Sequence, residues 1–260
     1  MTPPLPSNLA TLLEKAALDN GFDLELGTEG EWLHFGSTQI PLTVWLGAFG
    51  NVPLAAFSQE LVARALGDFG TPLVSPLPPG AAVGRSVADV PQMHRLLRRA
   101  FQLGRALPDQ LLRQFEQQTA KLPRTTEAER LVITRVGQDL FRQGLLELWE
   151  GRCAVTGLAV PELLRASHIK PWADCDTDAE RLDIYNGLLL APHLDAAFDA
   201  GFITFASDGL LVPSPALDDN ARLLLGLDHP LHLRTITDAH RRYLTWHRER
   251  VYREEKPPGE

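Results

Sequence analysis

The chain has 260 residues, of which 44% are hydrophobic, and a formal net charge of -8. This length and composition suit two modest domains with ordinary apolar cores. Since no run of about 18 apolar residues occurs and the N-terminus lacks a basic-then-apolar leader, we expect a cytoplasmic protein without a membrane span. The negative net charge argues mildly against a nucleic-acid partner, because lysine and arginine supply most non-specific affinity for phosphate.

The N-terminal part predicts a small α+β domain over residues 1–75. Residues 7–20 place apolar side chains on one helical face, with Ser7 as the expected N-cap. Short strand-like runs follow, separated by glycine-containing breaks, and a helical pattern starts after Ser58. The strand-like runs cover residues 23–26, 31–35, 41–49 and 52–57.

The next segments predict a linker and a helical connector. Residues 71–84 combine four prolines with two glycines, which is typical of a linker. Residues 85–150 then show three helical patterns, and the stretch 85–152 carries 12 basic and 8 acidic residues. This local positive charge is typical of a solvated helix face or, alternatively, of a surface that follows phosphates.

From residue 140 to the C-terminus the pattern changes to a short strand, an acidic loop, a second strand and a helix that begins near Pro192. His168 ends the first of these strands and is a candidate general base, because neutral imidazole can accept a proton at cellular pH. A single histidine in such a place is also often structural. Context from neighbouring residues therefore has to decide between these two interpretations.

The helix that follows supplies that context. Asp195 and Asp199 are four residues apart, so both carboxylates lie on one helical face and could bind one hard cation. Two such aspartates can equally form a solvated face. Asn186, directly before Gly187, is either a turn residue or a group that orients the loop carrying His168.

Four runs of sequence together resemble the HNH endonucleases, in particular their restriction-type branch, over about residues 140–210. The runs are GRCAVTG, LLRASHIKPW, NGLLL and LDAAFDAG. The resemblance implies a ββα-metal domain spanning residues 140–260, in which His168 is the general base and Asn186 orients it. It also implies that Asp195 and Asp199 bind the metal.

The sequence departs from the family pattern at three points. Ser167 stands where the wider family often has a metal ligand, and Asp195 stands where it usually has histidine. His193 is the alternative ligand, although it would face another side of the helix and would favour zinc or nickel over Mg²⁺ or Mn²⁺. The CxxC pairs of the family are also missing: Cys153 and Cys175 are 22 positions apart, which supports neither a zinc knuckle nor a disulfide framework.

These patterns predict an α+β protein whose C-terminal domain is a DNA endonuclease with one Mg²⁺ or Mn²⁺ ion. Arg165 and Lys170 flank the base and are candidates for phosphate contacts, or else solvated charges. The alternatives are a catalytically silent DNA-binding or assembly module, and a nuclease for RNA or for modified or branched DNA. By analogy with restriction-type nucleases, the N-terminal domain is expected to select the DNA or to form a homodimer.

Overall fold

The computed structural model of the protein describes residues 5–254 except 68, 74, 75 and 124, and describes residues 63 and 64 in their main chain only. The chain forms two compact units, Met1–Arg105 and Ala106–Glu260. Both units combine helices with antiparallel strands, which confirms the predicted α+β class. Among the described residues, no helix has the length and apolar character that crossing a bilayer requires.

The first unit is an antiparallel six-stranded sheet with helices packed on it. The strand order is β1-β2-β3-β4-β6-β5. The elements are α1 (Ser7–Asp19), β1 (Leu24–Glu29), β2 (Trp32–Gly36), β3 (Val44–Phe49), β4 (Val52–Phe57), α2 (Glu60–Ala65), β5 (Thr71–Pro72), β6 (Val83–Ser86) and α3 (Val90–Arg105). Helix α1 begins at Ser7 itself, with Pro6 at the N-cap position that we had expected Ser7 to occupy.

Buried side chains of neighbouring strands form part of the core of this unit. Phe35, Val44 and Phe57 lie opposite one another on neighbouring strands and are all buried. Strand side chains alternate between the two faces, so these three residues share one face of the sheet, and α1 contacts β2 and β3. The core therefore lies between the sheet and its helices.

Both ends of the segment 71–84 belong to strands of the first unit's sheet, although the composition of the segment is typical of a linker. Strand β5 pairs with β6, and β6 pairs with β4. Pro72 is compatible with a strand here because β5 lies at the edge of the sheet, where a missing N–H leaves no ladder bond unmade. The chain divides after Arg105, so α3 belongs to the first unit rather than to a connector.

The second unit contains the pair of strands that carries the candidate residues. Its elements are α4 (Pro108–Thr119), α5 (Glu127–Leu148), β7 (Arg165–His168), α6 (Asp178–Arg181), β8 (Gly187–Leu190), α7 (Pro192–Asp199), β9 (Ile203–Phe205), β10 (Leu211–Pro213), α8 (Asp219–Leu224) and α9 (Asp238–Arg250). Single turns of 3-10 helix span Trp172–Asp174 and Ile184–Asn186. The order β7, β8, α7 is the ββα arrangement that the sequence predicts.

Helix α5 supports the two strands from one side. It starts with a capping box in which Thr126 and Glu129 satisfy each other's main-chain N–H groups. Its last turns bury Phe141 and Leu145 against β7 and β8. A Cβ atom at Gly187 would lie 2.4 Å from Cζ of Phe141, so only glycine allows α5 to come this close to the start of β8.

The C-terminal end of α7 lies close in space to the C-terminal end of α9. Gly201 follows α7 with a φ of +74°, and a Cβ atom there would lie 2.1 Å from the carbonyl oxygen of Val251. A side chain at this position would be strained and would also displace the main chain after α9. Gly201 thus allows α9 to pack next to the helix that carries Asp195 and Asp199.

Candidate active site

The strand pair β7–β8 places the candidate base at its open end. His168 is the last residue of β7 and pairs with Gly187, the first residue of β8. Asn186 directly precedes β8, and α7 packs against β7. His168 and Asn186 therefore lie at the same end of the strand pair, and α7 packs beside β7.

Packing and one hydrogen bond hold the His168 ring. The ring stacks on Phe141, with a centroid distance of 3.7 Å and an interplanar angle of 13°, and meets the Trp172 ring edge-on at 5.6 Å. Nε2 of His168 lies 2.9 Å from the carbonyl oxygen of Arg181. Because a carbonyl can only accept, Nε2 carries the proton and the neutral ring leaves Nδ1 as an acceptor.

Nδ1 of His168 has no hydrogen-bond partner among the residues that the structure describes. Burial lowers the pKa of His168 to about 4, while the hydrogen bond to the Arg181 carbonyl acts in the opposite direction. The imidazole is therefore neutral at cellular pH. It has the protonation state and the free nitrogen that a general base needs.

The Asn186 side chain forms hydrogen bonds near both ends of the loop 170–181, which contains the Arg181 carbonyl. Its side chain is fully buried, and its Oδ1 accepts from the main-chain N–H of Lys170 at 2.8 Å. Its Nδ2 donates to the carbonyl oxygens of Lys170 and Glu180, at 3.1 and 3.3 Å. Asn186 can therefore orient the base indirectly, through the path of the loop between Lys170 and Arg181.

The two aspartates of α7 lie beside Ser167. The Ser167 hydroxyl donates to Oδ1 of Asp199 at 3.0 Å. Burial raises the pKa of both Asp195 and Asp199, and the charge of Asp199 raises that of Asp195 further. Both groups are partly withdrawn from water and repel each other, so a cation bound between them would stabilise their charged forms.

One cavity of about 340 Å³ joins the candidate base to this helix. Ser167, His168 and Asp199 all line it. Neither Asp195 nor His193 lines this cavity; Asp195 lies near Ser167, whose hydroxyl lowers its pKa, whereas His193 is exposed. Within the described residues, no group of three or more His, Cys, Asp or Glu side chains is arranged to hold a metal, so water or phosphate oxygens would have to complete a coordination sphere.

The two candidate phosphate-binding residues differ in their surroundings. Arg165 is exposed at the start of β7. The Lys170 side chain is only 12% exposed and its Nζ donates to Glu180 at 2.9 Å and to Asp176 at 3.4 Å. The bond to Glu180 raises the pKa of Lys170, and this ion pair ties the ammonium to the loop. Arg165 is therefore more accessible to a phosphate group than Lys170 is.

Three residues contribute to this site without having been predicted from the sequence: Phe141, Arg181 and His247. His247 lines the same cavity, stacks on Phe198 at 3.9 Å, and its Nε2 lies 3.1 Å from the Phe198 carbonyl oxygen. This histidine repeats the arrangement of His168 on Phe141. No spacing along the chain indicates that these residues contact the strand pair, since each contact joins distant segments.

Comparison with known families agrees with this geometry. Residues 153–206 match a family model described as HNH endonuclease. The match includes β7, β8 and α7, and with them His168, Asn186, Asp195 and Asp199, so the family resemblance predicted over residues 140–210 is confirmed. A search of curated proteins found no match for the chain.

Proposed function

We propose that the second unit is a divalent-metal-dependent endonuclease that hydrolyses DNA phosphodiester bonds. The observation that carries this proposal is the shared cavity, in which a neutral histidine with a free Nδ1 and the Asp199 carboxylate meet. Hydrolysis of a phosphodiester needs a base for the attacking water and positive charge at the phosphate and the leaving oxygen. The family match supports a nuclease, and the assignment of roles to residues is our proposal.

In this mechanism His168 removes a proton from water at Nδ1. The ring then becomes an imidazolium whose second N–H already donates to the Arg181 carbonyl, so the positive charge forms beside a fixed dipole. Phe141 keeps the ring flat against α5, and Asn186 holds the loop that carries the carbonyl. No rotation of the ring is required between accepting the proton and stabilising the charge.

The residues of α7 fit a hard divalent cation. Asp195 and Asp199 offer carboxylate oxygens, the donor type that Mg²⁺ and Mn²⁺ prefer, and burial raises the pKa of both. The Ser167 hydroxyl holds Asp199 in place. A bound cation would supply positive charge for the phosphate and the leaving oxygen.

Metal dependence tests the proposal. Nicking of supercoiled plasmid DNA should require Mg²⁺ or Mn²⁺, stop with EDTA and resume when the metal is restored. Asp199→Asn keeps an oxygen for the Ser167 hydroxyl but removes the charge, so it should raise the Mg²⁺ concentration for half-maximal nicking by at least about tenfold. Asp219→Asn, on α8, is the control and should leave that concentration unchanged.

The same assay separates the alternative functions. DNA binding without nicking, in either metal and with linear, branched and modified substrates, would favour a silent binding module. Cleavage of an RNA transcript but not of the plasmid would change the substrate class. Restriction-like activity, selection of the DNA by the first unit, and dimerisation stay predictions from the sequence.

Replacing Asn186 by alanine should reduce activity more than its effect on folding explains. Loss of the amide leaves the partly buried N–H of Lys170 unpaired, which should lower the free energy of unfolding by about 1–3 kcal/mol. The loop would also hold the Arg181 carbonyl less firmly, and we expect the nicking rate to fall by about tenfold to a hundredfold.

Asn20→Ala in the first unit is the matched control for this variant. Asn20 is also buried, and its Nδ2 donates to the Ala16 carbonyl at 2.7 Å. Asn20→Ala should lower stability by a similar amount without changing the nicking rate of folded protein. Equal nicking rates in the two variants would contradict a role for Asn186 at the site.

A further inference from the structure

Arg181 holds the loop whose main chain contacts the candidate base. Its guanidinium makes three hydrogen bonds within residues 172–181: Nε donates to the Trp172 carbonyl at 3.2 Å, Nη1 to Asp178 at 3.0 Å, and Nη2 to the Cys175 carbonyl. The side chain is 23% exposed. Every nitrogen of the guanidinium therefore donates to the loop itself.

Arg181 also reaches the base through a second contact. Its Cζ lies 5.9 Å from the centroid of the Trp172 ring. The same ring meets His168 edge-on at 5.6 Å. One residue thus controls the hydrogen-bond acceptor of the base, through its own carbonyl, and the position of an aromatic neighbour of the base, through its side chain.

Asn186 does not hold the main-chain carbonyls in the middle of this loop. Its amide fixes the main chain at Lys170 and Glu180, near the two ends of the loop. The carbonyls of Trp172 and Cys175, in the middle of the loop, are held by Arg181. Asn186 also reaches the middle of the loop, where its Nδ2 donates to the Cys175 sulfur at 3.4 Å, but only Arg181 holds main-chain carbonyls there.

We propose that Arg181 is a positioning residue for His168. Its side chain closes the loop so that its own carbonyl accepts from Nε2–H, selects this tautomer and leaves Nδ1 free for the attacking water. A direct contact with the phosphate is the competing role for an arginine here, but it would break hydrogen bonds within the loop. The inference rests on the proposed function, in which His168 is the base.

The experiment compares Arg181→Met with Arg241→Met as a matched control. Arg241 makes the same kind of contacts elsewhere, since Nε donates to the Ser207 carbonyl at 2.8 Å and Nη1 donates to Asp238, three residues earlier. The tautomer of His168 is read from long-range ¹H–¹⁵N spectra of the histidine-labelled 260-residue chain at neutral pH, with assignment by His168→Gln. Plasmid nicking in Mg²⁺ is measured on the same samples.

We expect wild type and Arg241→Met to show one His168 tautomer, with the proton on Nε2. Arg181→Met should show a mixture of the two tautomers, with nicking reduced by about tenfold to a hundredfold and little change in the KM for DNA. Arg181→Lys keeps the charge and one of the loop contacts, so it should recover part of both signals. It also provides the test if Arg181→Met does not fold.

A single Nε2–H tautomer with wild-type nicking in folded Arg181→Met would overturn the proposal, as would the same result in Arg181→Lys if Arg181→Met does not fold. So would a large rise in KM with an unchanged tautomer, because that result identifies a phosphate contact. The tautomer does not depend on nuclease activity. If His168→Gln nicks like wild type, the proposed base fails, whereas an unchanged tautomer in the Arg181 variants rejects only the positioning role.

Discussion

Replacing His168 by alanine is expected to lower the rate of plasmid nicking by about 10²- to 10⁴-fold, the usual contribution of a general base. The structure supplies the reason: Nε2 is committed to the Arg181 carbonyl, so Nδ1 is the nitrogen left to accept a proton from water. DNA binding should change little, because the ring contributes no charge at neutral pH. Gel-shift titration and nicking on the same preparation measure the two effects.

Two further variants separate chemistry from packing. His168→Gln restores bulk against Phe141 and an N–H for the Arg181 carbonyl but has no basic nitrogen, so it should be as inactive as the alanine variant. His229→Ala removes an exposed histidine and should nick like wild type. Full activity in His168→Gln would show that the imidazole is not the base.

Mild acid is expected to destabilise the second unit strongly. Burial lowers the pKa of three of its histidines, His168, His240 and His247, to about 4. In the unfolded chain the same groups bind a proton below about pH 6.5. The free energy of unfolding should therefore fall as the pH decreases from about 6.5 to about 4, because in this range these three rings bind protons in the unfolded state but not in the folded state.

The size of this effect is set by the two most buried rings. His240 and His247 are each 1% exposed, and full titration of each should cost about 3 kcal/mol. The two losses together are a large part of the free energy of unfolding of a typical domain, which is roughly 5–15 kcal/mol. The raised pKa values of Asp195 and Asp199 act in the opposite direction and offset part of the loss at the acid end of the range.

Urea unfolding between pH 7.5 and 4.5, followed by tryptophan fluorescence, measures this dependence. In His247→Gln the amide can still donate to the Phe198 carbonyl but cannot titrate, so the slope against pH should decrease by about one proton. His229→Ala, at an exposed site, should leave the slope unchanged. Equal free energies of unfolding at pH 7 and pH 5 in wild type would show that these histidines do not carry the effect.

Much of the fold follows from patterns that are local in the sequence. The apolar periodicity of residues 7–20 coincides with α1, the three helical patterns of residues 85–150 with α3, α4 and α5, and the four strand-like runs overlap β1 to β4. Residues 71–84 show the limit of such patterns, because their prolines and glycines are typical of a linker. Pairing with β4 brings β6 into the sheet, and that pairing joins segments that composition does not connect.

The candidate site also combines features that the sequence predicts with features that depend on tertiary contacts. By itself the sequence determined that His168, Asn186, Asp195 and Asp199 occur in the order and spacing of an HNH segment, because residue types and their spacing along a strand or helix can be recognised without packing. Only the tertiary structure decided that His168 donates to Arg181, that Lys170 is paired with Glu180, and that His193 lies outside the cavity. The physical reason is that a hydrogen-bond acceptor such as a main-chain carbonyl is present in every residue, and only packing between distant segments selects which one the base meets.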